Sequence, residues 1–275
     1  MNIREQLPEI KKIQLHSGVE GFNSPEIYAT YKNTGGDALG VVGRIFEPMD
    51  LHLLLDTFES TATECGGLDI SKMKYTEAKG GAKVRFELPF REYEIKTPMV
   101  GDVIRTSIIV STGFDGKTKT SLSLSSYRLW CANGACTWEI ELAVKNTLKN
   151  HVKVMHFCDE LYKVMAQSDQ YAEKLNQLVT KKVTQKQLDE FLSKLTGYDV
   201  KAYADLNTKR RNILDAINAS VAIEAQNTGM NQFSLLQGIT RYTTHDLCGG
   251  DANHEDLFYA NAGALSMKAH QLLMN

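Results

Sequence analysis

Residues 103–131 read VIRTSIIVSTGFDGKTKTSLSLSSYRLWC, and this stretch decides the fold class. An apolar run from Ile104 to Val110 is separated by the loop Gly113-Phe114-Asp115-Gly116 from a second β-rich run, 118–131. Two such runs joined by a short glycine-containing loop predict a β-hairpin. The chain is therefore expected to contain an antiparallel sheet.

The residues before this hairpin predict the rest of the sheet and one helix. Residues 82–90 alternate apolar and mostly charged side chains, which is typical of a strand with one buried and one solvated face. Apolar residues at helical spacing from Leu51 to Cys65, followed by Gly66-Gly67, predict a helix over about 48–66. Strands are also expected over 39–46 and 73–78, so the predicted order is β-α-β-β-β-β.

After Gly134 the apolar spacing becomes helical. Residues 140–148 are interpreted as one amphipathic face and residues 157–178 as a longer one. Thr184-Gln185-Lys186-Gln187 predicts a capping box, and further helices are expected over about 207–226, 231–244 and 256–273. Strands followed by helices predict the α+β class. The expected organisation is an N-terminal arm (1–36), a sheet domain (37–158) and a helical region packed on or beside the sheet (159–275).

Composition limits the classes of partner. A chain of 275 residues with 43% hydrophobic content can bury a full core. Because 31 Lys and Arg face 33 Asp and Glu, no overall field attracts nucleic acid or an anionic membrane, so such a partner requires a local patch. No signal-peptide core or membrane-length apolar run is present, which favours the cytoplasm and no membrane partner. Five scattered cysteines fit reduced thiols.

Two segments resemble a known family. The turn Phe114-Asp115-Gly116, the run YRLWCANG (127–134) and KVMH (153–156) are similar to the phage/plasmid-like protein family called domain of unknown function 932. In that family a strand, an Asp-Gly turn and an Arg-x-x-Cys-x-Asn-Gly run recur in this order. The segment NQFSLLQGITRYTTH (231–245) resembles the family helix that ends in Thr-x-Tyr-x-x-His. The resemblance implies a mobile-element protein of a bacterial host, and it leaves the activity open.

A basic surface interleaved with aromatic residues is the first candidate site. It combines lysines at the hairpin tip, an arginine between two aromatic residues, and lysines at steps of four along the predicted helix. Such cations would contact phosphates spaced along a strand while the aromatic rings stack on bases. The alternative is an ordinary solvated helix face with hairpin charges. The residues are Lys117, Lys119, Tyr127, Arg128, Trp130, Lys145, Lys149 and Lys153.

A second basic cluster lies near the start of a predicted helix. Lys209, Arg210 and Arg211 oppose the helix dipole at the end where acidic residues stabilise a helix. An anionic partner would remove this cost, although an exposed surface tolerates it. Arg241 in the following helix completes the predicted nucleic-acid-binding set.

No catalytic or metal centre is predicted. The histidines and cysteines form two separated groups whose spacing does not match a zinc motif, so buried thiols and hydrogen-bonded histidines are favoured. Nucleophile-elbow, phosphate-loop, dinucleotide-binding and His-Glu-x-x-His motifs are absent from the sequence. Thr243-Thr244-His245-Asp246 is either a proton-transfer pair or part of a polar network. The two groups are His151, His156, Cys158 and His245, Cys248, His254.

Three functions agree with these observations. The first is a phage- or plasmid-encoded protein that binds single-stranded DNA, with a sheet-plus-helix order loosely similar to RecT/Redβ-type annealing proteins, which implies a homo-oligomer without cofactors. The second is a non-catalytic module that binds or inhibits a host or phage protein, and the near-neutral charge favours it. The third is a metal-dependent enzyme built on the histidines and cysteines.

Overall fold

The computed structural model describes residues 3–16, 26–65, 68–98, 102–128, 133–250 and 261–274. The side chains of Ala62, Cys65, Tyr127, Arg128 and residues 133–142 lie outside this description. The chain divides into two compact units. Unit 1 comprises Met1–Phe90, Ser107–Leu124 and Ile140–Ala166, and unit 2 comprises Arg91–Thr106, Ser125–Glu139 and Gln167–Asn275.

Unit 1 begins with a short helix and a three-stranded antiparallel sheet. The helix α1 spans Ile3–Gln6, and the strands are β1 (Ile10–Gln14), β2 (Ile27–Lys32) and β3 (Gly40–Gly43) in the order β1-β2-β3. The segment expected to be an arm therefore supplies two strands. The two lysines in the β1 sequence IKKIQ interrupt the apolar alternation that would have marked it as a strand.

The predicted helix and hairpin are confirmed. Helix α2 spans Leu51–Cys65, and Leu51, Leu54 and Phe58 on it are buried. It is followed by a five-stranded sheet in the order β4-β5-β6-β7-β8. The strands are β4 (Lys74–Ala78), β5 (Lys83–Glu94), β6 (Val103–Gly113), β7 (Thr120–Arg128) and β8 (Asn133–Val144).

The predicted alternation of apolar and charged side chains in β5 is confirmed on the buried face of the strand. On the opposite face it is wrong at one position. Val84, Phe86 and Leu88 are each no more than 1% exposed, as predicted. Arg85, expected on a solvated face, is only 3% exposed and pairs with Glu87. A buried guanidinium requires such a partner because an unpaired charge in the interior is costly.

The helix predicted over residues 140–148 is wrong. Residues 133–144 form β8 at the edge of the five-stranded sheet, and the first helix after it begins at Asn150. Apolar residues occupy every second position from Cys136 to Val144, which is a strand period. Some of these residues also fit helical spacing, but the alternation with a period of two is the stronger signal.

The C-terminal half is helical, so the α+β class is confirmed. Thr184 and Gln187 form the predicted capping box at the start of the helix Gln185–Thr196, and Gly197 ends that helix with a φ of 74°. A π-helix over Tyr242–Leu247 directly follows the helix Gln232–Arg241. The helices are α3 (Asn150–Thr180), α4 (Gln185–Thr196), α5 (Thr208–Thr228), α6 (Gln232–Arg241) and α7 (Asn261–Met274).

Helices α5 and α6 of unit 2 pack closely at one glycine. A Cβ on Gly238 would lie 2.5 Å from Val221 Cγ2 and 2.6 Å from Val221 Cα. Leu214, Ile217 and Val221 of α5 and Leu236 and Ile239 of α6 are buried. Glycine is therefore required at position 238 for the helices to lie this close.

Candidate nucleic-acid interface

In unit 1, one buried amide fixes the hairpin loop to the segment after β8. The Asn146 side chain is buried, and its Nδ2 donates to the carbonyl oxygens of Thr118 (2.7 Å) and Gly113 (3.3 Å). Its Oδ1 accepts from Thr120 Oγ1 at 2.6 Å. These bonds join Asn146 to residues of the hairpin that lie 26 to 33 positions earlier in the chain. We call the surface around them the Asn146 corner, and its lysines are Lys117, Lys119, Lys145 and Lys149.

The carboxylate of Asp115 is hydrogen-bonded within its own hairpin loop. Asp115 accepts hydrogen bonds from the N–H groups of Lys117 (2.9 Å) and Thr118 (2.7 Å) and from Thr118 Oγ1 (2.9 Å). Burial alone raises the pKa of the Asp115 carboxyl, but these bonds outweigh burial and hold its pKa below the usual range. Lys117 and Lys119 are exposed, and neither forms an ion pair with a carboxylate in the described part of the chain.

The predicted helical row of lysines is wrong. Lys145 follows β8 and Lys149 precedes α3, so their spacing of four crosses a turn. Both are exposed, and Lys149 Nζ lies 3.6 Å from Glu47 Oε2. Lys153 belongs to α3 but is fully buried, and its Nζ donates to the Glu47 carbonyl oxygen at 2.6 Å. Burial lowers the pKa of Lys153 to about 8, with Glu47 opposing the shift.

Lys153 therefore serves the interior of unit 1 instead of its surface. Its ammonium group also lies 3.4 Å from Asn150 Oδ1, and Asn150 Nδ2 donates to the Pro48 carbonyl oxygen at 3.0 Å. Together the two side chains tie the first turn of α3 to the segment before α2. Of the aromatic part of the predicted surface, Trp130 and the side chains of Tyr127 and Arg128 lie outside the described residues.

A second basic surface lies in unit 2 at the start of α5. The predicted start is confirmed, because Asn207 caps the helix by accepting from the Arg210 N–H at 3.0 Å. The first turn contains no acidic residue. Lys209 and Arg210 are exposed and Arg211 is half-buried. The Arg210 guanidinium lies over the Tyr198 ring, 5.1 Å from its centroid.

A second tyrosine of unit 2, Tyr203, is hydrogen-bonded to the carboxylate of Asp215 on α5. The Tyr203 hydroxyl donates to Asp215 at 2.8 Å and 2.7 Å to its two oxygens, and this bond raises the pKa of Tyr203. The carboxylate is thereby engaged by a hydroxyl. We call the set Tyr198, Lys209, Arg210 and Arg211 the α5 surface.

Arg241 takes part in a largely buried ion pair. Its Nη1 lies 3.8 Å from Glu224 Oε1, and Glu224 is 2% exposed. A buried carboxylate of this kind requires a nearby cation. Arg241 therefore has a structural role within unit 2 that the sequence did not indicate.

The two groups of histidines and cysteines belong to different units. In unit 1, His151 and His156 are exposed and Cys158 Sγ lies 3.7 Å from Thr61 Oγ1. In unit 2, Cys248 is buried, and His254 lies outside the described residues. Among the residues that the structure describes, no three potential ligands come together to hold a metal ion.

The Thr-Thr-His-Asp segment forms a polar network inside unit 2. Thr243 and Thr244 are fully buried, and their hydroxyls donate to the Thr240 carbonyl oxygen at 2.9 Å and 2.8 Å. Asp246 Oδ2 accepts from Ser220 Oγ at 3.3 Å. These contacts are local and structural. They support the network interpretation of this segment.

Sequence reasoning missed the two residues that organise the basic surfaces. Asn146 was assigned to a helix, although it follows a strand-like alternation and precedes a polar turn. Tyr198 follows Gly197 and carries no motif of its own. A correct assignment of β8 would have placed Asn146 in a loop, where asparagine side chains commonly bond to backbone groups.

Comparison with known proteins gives one match. The family model described as "Domain of unknown function (DUF932)" matches residues 38–259. No curated protein and no solved structure matches the chain significantly. Within the described ranges, none of the helices has both the length and the apolar composition needed to cross a membrane.

Proposed function

The chain belongs to the domain-of-unknown-function-932 family, and we propose that it binds single-stranded DNA through cations that contact the phosphates. The observation that carries this proposal is the Asn146 corner. There, one buried side chain brings exposed lysines from the hairpin loop and from the β8–α3 connection to the same part of unit 1. The backbone that carries these cations is held in place, so ordering on a phosphate chain is left mainly to the lysine side chains.

The charge balance of the Asn146 corner favours an anionic partner. Its two nearby carboxylates, Asp115 and Glu47, are engaged by the turn and by Lys149. Lys117, Lys119 and Lys145 are left to attract anions. Binding of this kind is driven by release of counterions from the phosphates and requires no base recognition, nucleotide or metal.

The α5 surface offers a second, independent contact. Its cations lie at the positive end of a helix dipole, where anions are stabilised. The Arg210–Tyr198 stack also provides a flat surface of the type on which bases pack. A mobile-element origin, which the family resemblance implies, belongs to the same proposal. So do strand annealing and a homo-oligomer, which the loose similarity to RecT/Redβ-type annealing proteins implies, and a cytoplasmic location.

Fluorescence polarisation with a short labelled single strand tests the proposal. Replacement of Lys117, Lys119 and Lys145 by Gln is expected to weaken binding about tenfold or more, a loss of about 1.4 kcal/mol. The same change at Lys209, Arg210 and Arg211 tests the α5 surface separately. The matched control replaces exposed lysines of unit 1 outside the corner by Gln, with the same change in net charge: Lys11, Lys72 and Lys74.

The outcomes separate the alternatives. Equal losses in the corner variant and in the control would indicate a nonspecific charge effect and contradict a defined site. Absence of binding by the unaltered protein at low salt would refute the proposal. Annealing is then tested by mixing labelled complementary strands with the protein. The unaltered protein is expected to accelerate annealing, and the variant with Gln at the three lysines of the corner is not.

A protein-binding module is the second candidate function. It is favoured by branched apolar side chains that unit 1 exposes in and beside its three-stranded sheet, with Val41 62% and Ile45 69% exposed. Exposed apolar side chains mark a protein contact where they form one contiguous patch. Binding of a partner protein that persists at high salt would favour this function, because salt does not screen contacts between apolar side chains.

A further inference from the structure

Helices α4, α6 and α7 of unit 2 line a cleft of about 170 Å³. Its apolar lining includes Phe191, Leu235 and Leu273, each of which is no more than 9% exposed. Pockets that hold drug-sized ligands begin at about 300 Å³, and they combine an apolar lining with a few polar groups. The cleft therefore has room for a small, partly apolar molecule, and it is too small for a nucleotide.

Two side chains of opposite charge line the same cleft. Glu190 and Lys194 lie four residues apart on α4, which is about 6 Å along the helix axis. Both side chains are exposed, and neither forms an ion pair or a hydrogen bond with another residue in the described ranges. A ligand with a single charge would use only one of them. A ligand that carries both an ammonium and a carboxylate group would use both.

Two glutamine side chains add hydrogen-bonding groups to the cleft. Gln232 lines it at the start of α6, and its Oε1 is shielded from solvent but accepts no hydrogen bond from the residues that the structure describes. Buried polar atoms normally have a partner, so this oxygen favours a ligand that brings a donor. Gln187 Oε1 accepts from the Thr184 N–H at 2.9 Å and from Thr184 Oγ1 at 3.0 Å. The Nε2 group of Gln187 is thereby left to donate to a ligand.

We propose that this cleft binds a free α-amino acid with an apolar side chain. The ammonium group of the amino acid pairs with Glu190 and donates to Gln232 Oε1, and its carboxylate pairs with Lys194. The apolar side chain packs on Phe191 and Leu235. Hydrogen bonds between charged groups are stronger than neutral ones, so the two rim charges select the zwitterion. The inference does not depend on nucleic-acid binding, because it uses neither of the two basic surfaces.

Isothermal titration calorimetry of the whole chain with L-leucine, L-methionine and L-phenylalanine tests the inference. At least one of the three is expected to bind saturably, with one molecule per chain. The amide of that amino acid lacks the carboxylate, and its N-acetyl derivative lacks the ammonium group. Each derivative should bind about tenfold more weakly or worse, because each loses one charge-assisted contact. Equal affinity for either derivative would overturn the assignment of a zwitterion.

Substitutions at the rim locate the site. Glu190→Gln and Lys194→Gln should each weaken binding about tenfold. The matched controls are Glu173→Gln on α3 and Lys186→Gln on α4, which are exposed and do not line the cleft, and both should bind like the unaltered chain. All four positions are exposed, so the thermal melts should be nearly unchanged. The proposal would be overturned if none of the three amino acids bound at millimolar concentration, or if the rim variants bound no more weakly than the controls.

Discussion

Replacement of Asn146 by Ala tests whether this side chain holds the hairpin loop to the β8–α3 connection. The substitution removes the bonds to Gly113 O, Thr118 O and Thr120 Oγ1. Thr120 Oγ1 keeps a partner, because it lies 2.7 Å from Thr112 Oγ1. The Gly113 carbonyl oxygen loses this donor in a buried setting and the Thr118 carbonyl oxygen in a part-buried one. A buried group left unsatisfied costs about 1–3 kcal/mol. We expect a loss of about 2–4 kcal/mol in the free energy of unfolding.

Urea denaturation measures this loss, and an unchanged m-value would show that the compactness of both states is unaltered. The control is Asn33→Ala, which removes only an exposed 3.4 Å contact to Glu9 and should change stability by less than about 0.5 kcal/mol. Asn146→Ala should also weaken binding of single-stranded DNA, although it removes no charge. A loss of stability below about 1 kcal/mol would contradict this prediction, because two buried bonds and one part-buried bond should cost more than that when they are removed.

Two further predictions concern packing and pH. Gly238→Ala should destabilise unit 2 by about 2 kcal/mol or more, because its Cβ would overlap Val221, whereas Gly43→Ala, with open space around it, should have little effect in the same thermal melts. Lys153 binds its proton less tightly in the folded state, where its pKa is about 8, than in the unfolded state, where its pKa is 10.5. Between these two pH values the unfolded state holds more protons. The free energy of unfolding should therefore rise with pH in this range. Lys153→Met should flatten that rise, and an unchanged pH profile would contradict the burial of a charged lysine.

The sequence predicted the elements whose signals are local. The hairpin of β6 and β7 follows from a short glycine-containing loop between β-rich runs, and the start of α5 follows from the capping residue Asn207. The capping box at Thr184 is equally local. Each of these signals lies within a few residues of the structure that it specifies, so no tertiary contact was needed to recognise it.

The basic surface could not be predicted in its true form. Lys145, Lys149 and Lys153 share a spacing of four, but they fall on the end of a strand, a turn and a helix. Burial of Lys153 depends on the Glu47 carbonyl oxygen, 106 residues away in sequence. The Asn146 bonds similarly join positions 26 to 33 residues apart. Contacts of this range depend on sheet assembly and leave no periodic signal.

The salt dependence of single-stranded DNA affinity tests the central claim most directly. If the lysines Lys117, Lys119, Lys145 and Lys149 contact phosphates, a plot of log K against log salt should have a slope of about −3 or steeper. Replacement of Lys117, Lys119 and Lys145 by Gln should make that slope shallower by about 2. A slope near zero, or one that the replacement leaves unchanged, would contradict the assignment of these lysines to a phosphate-binding surface.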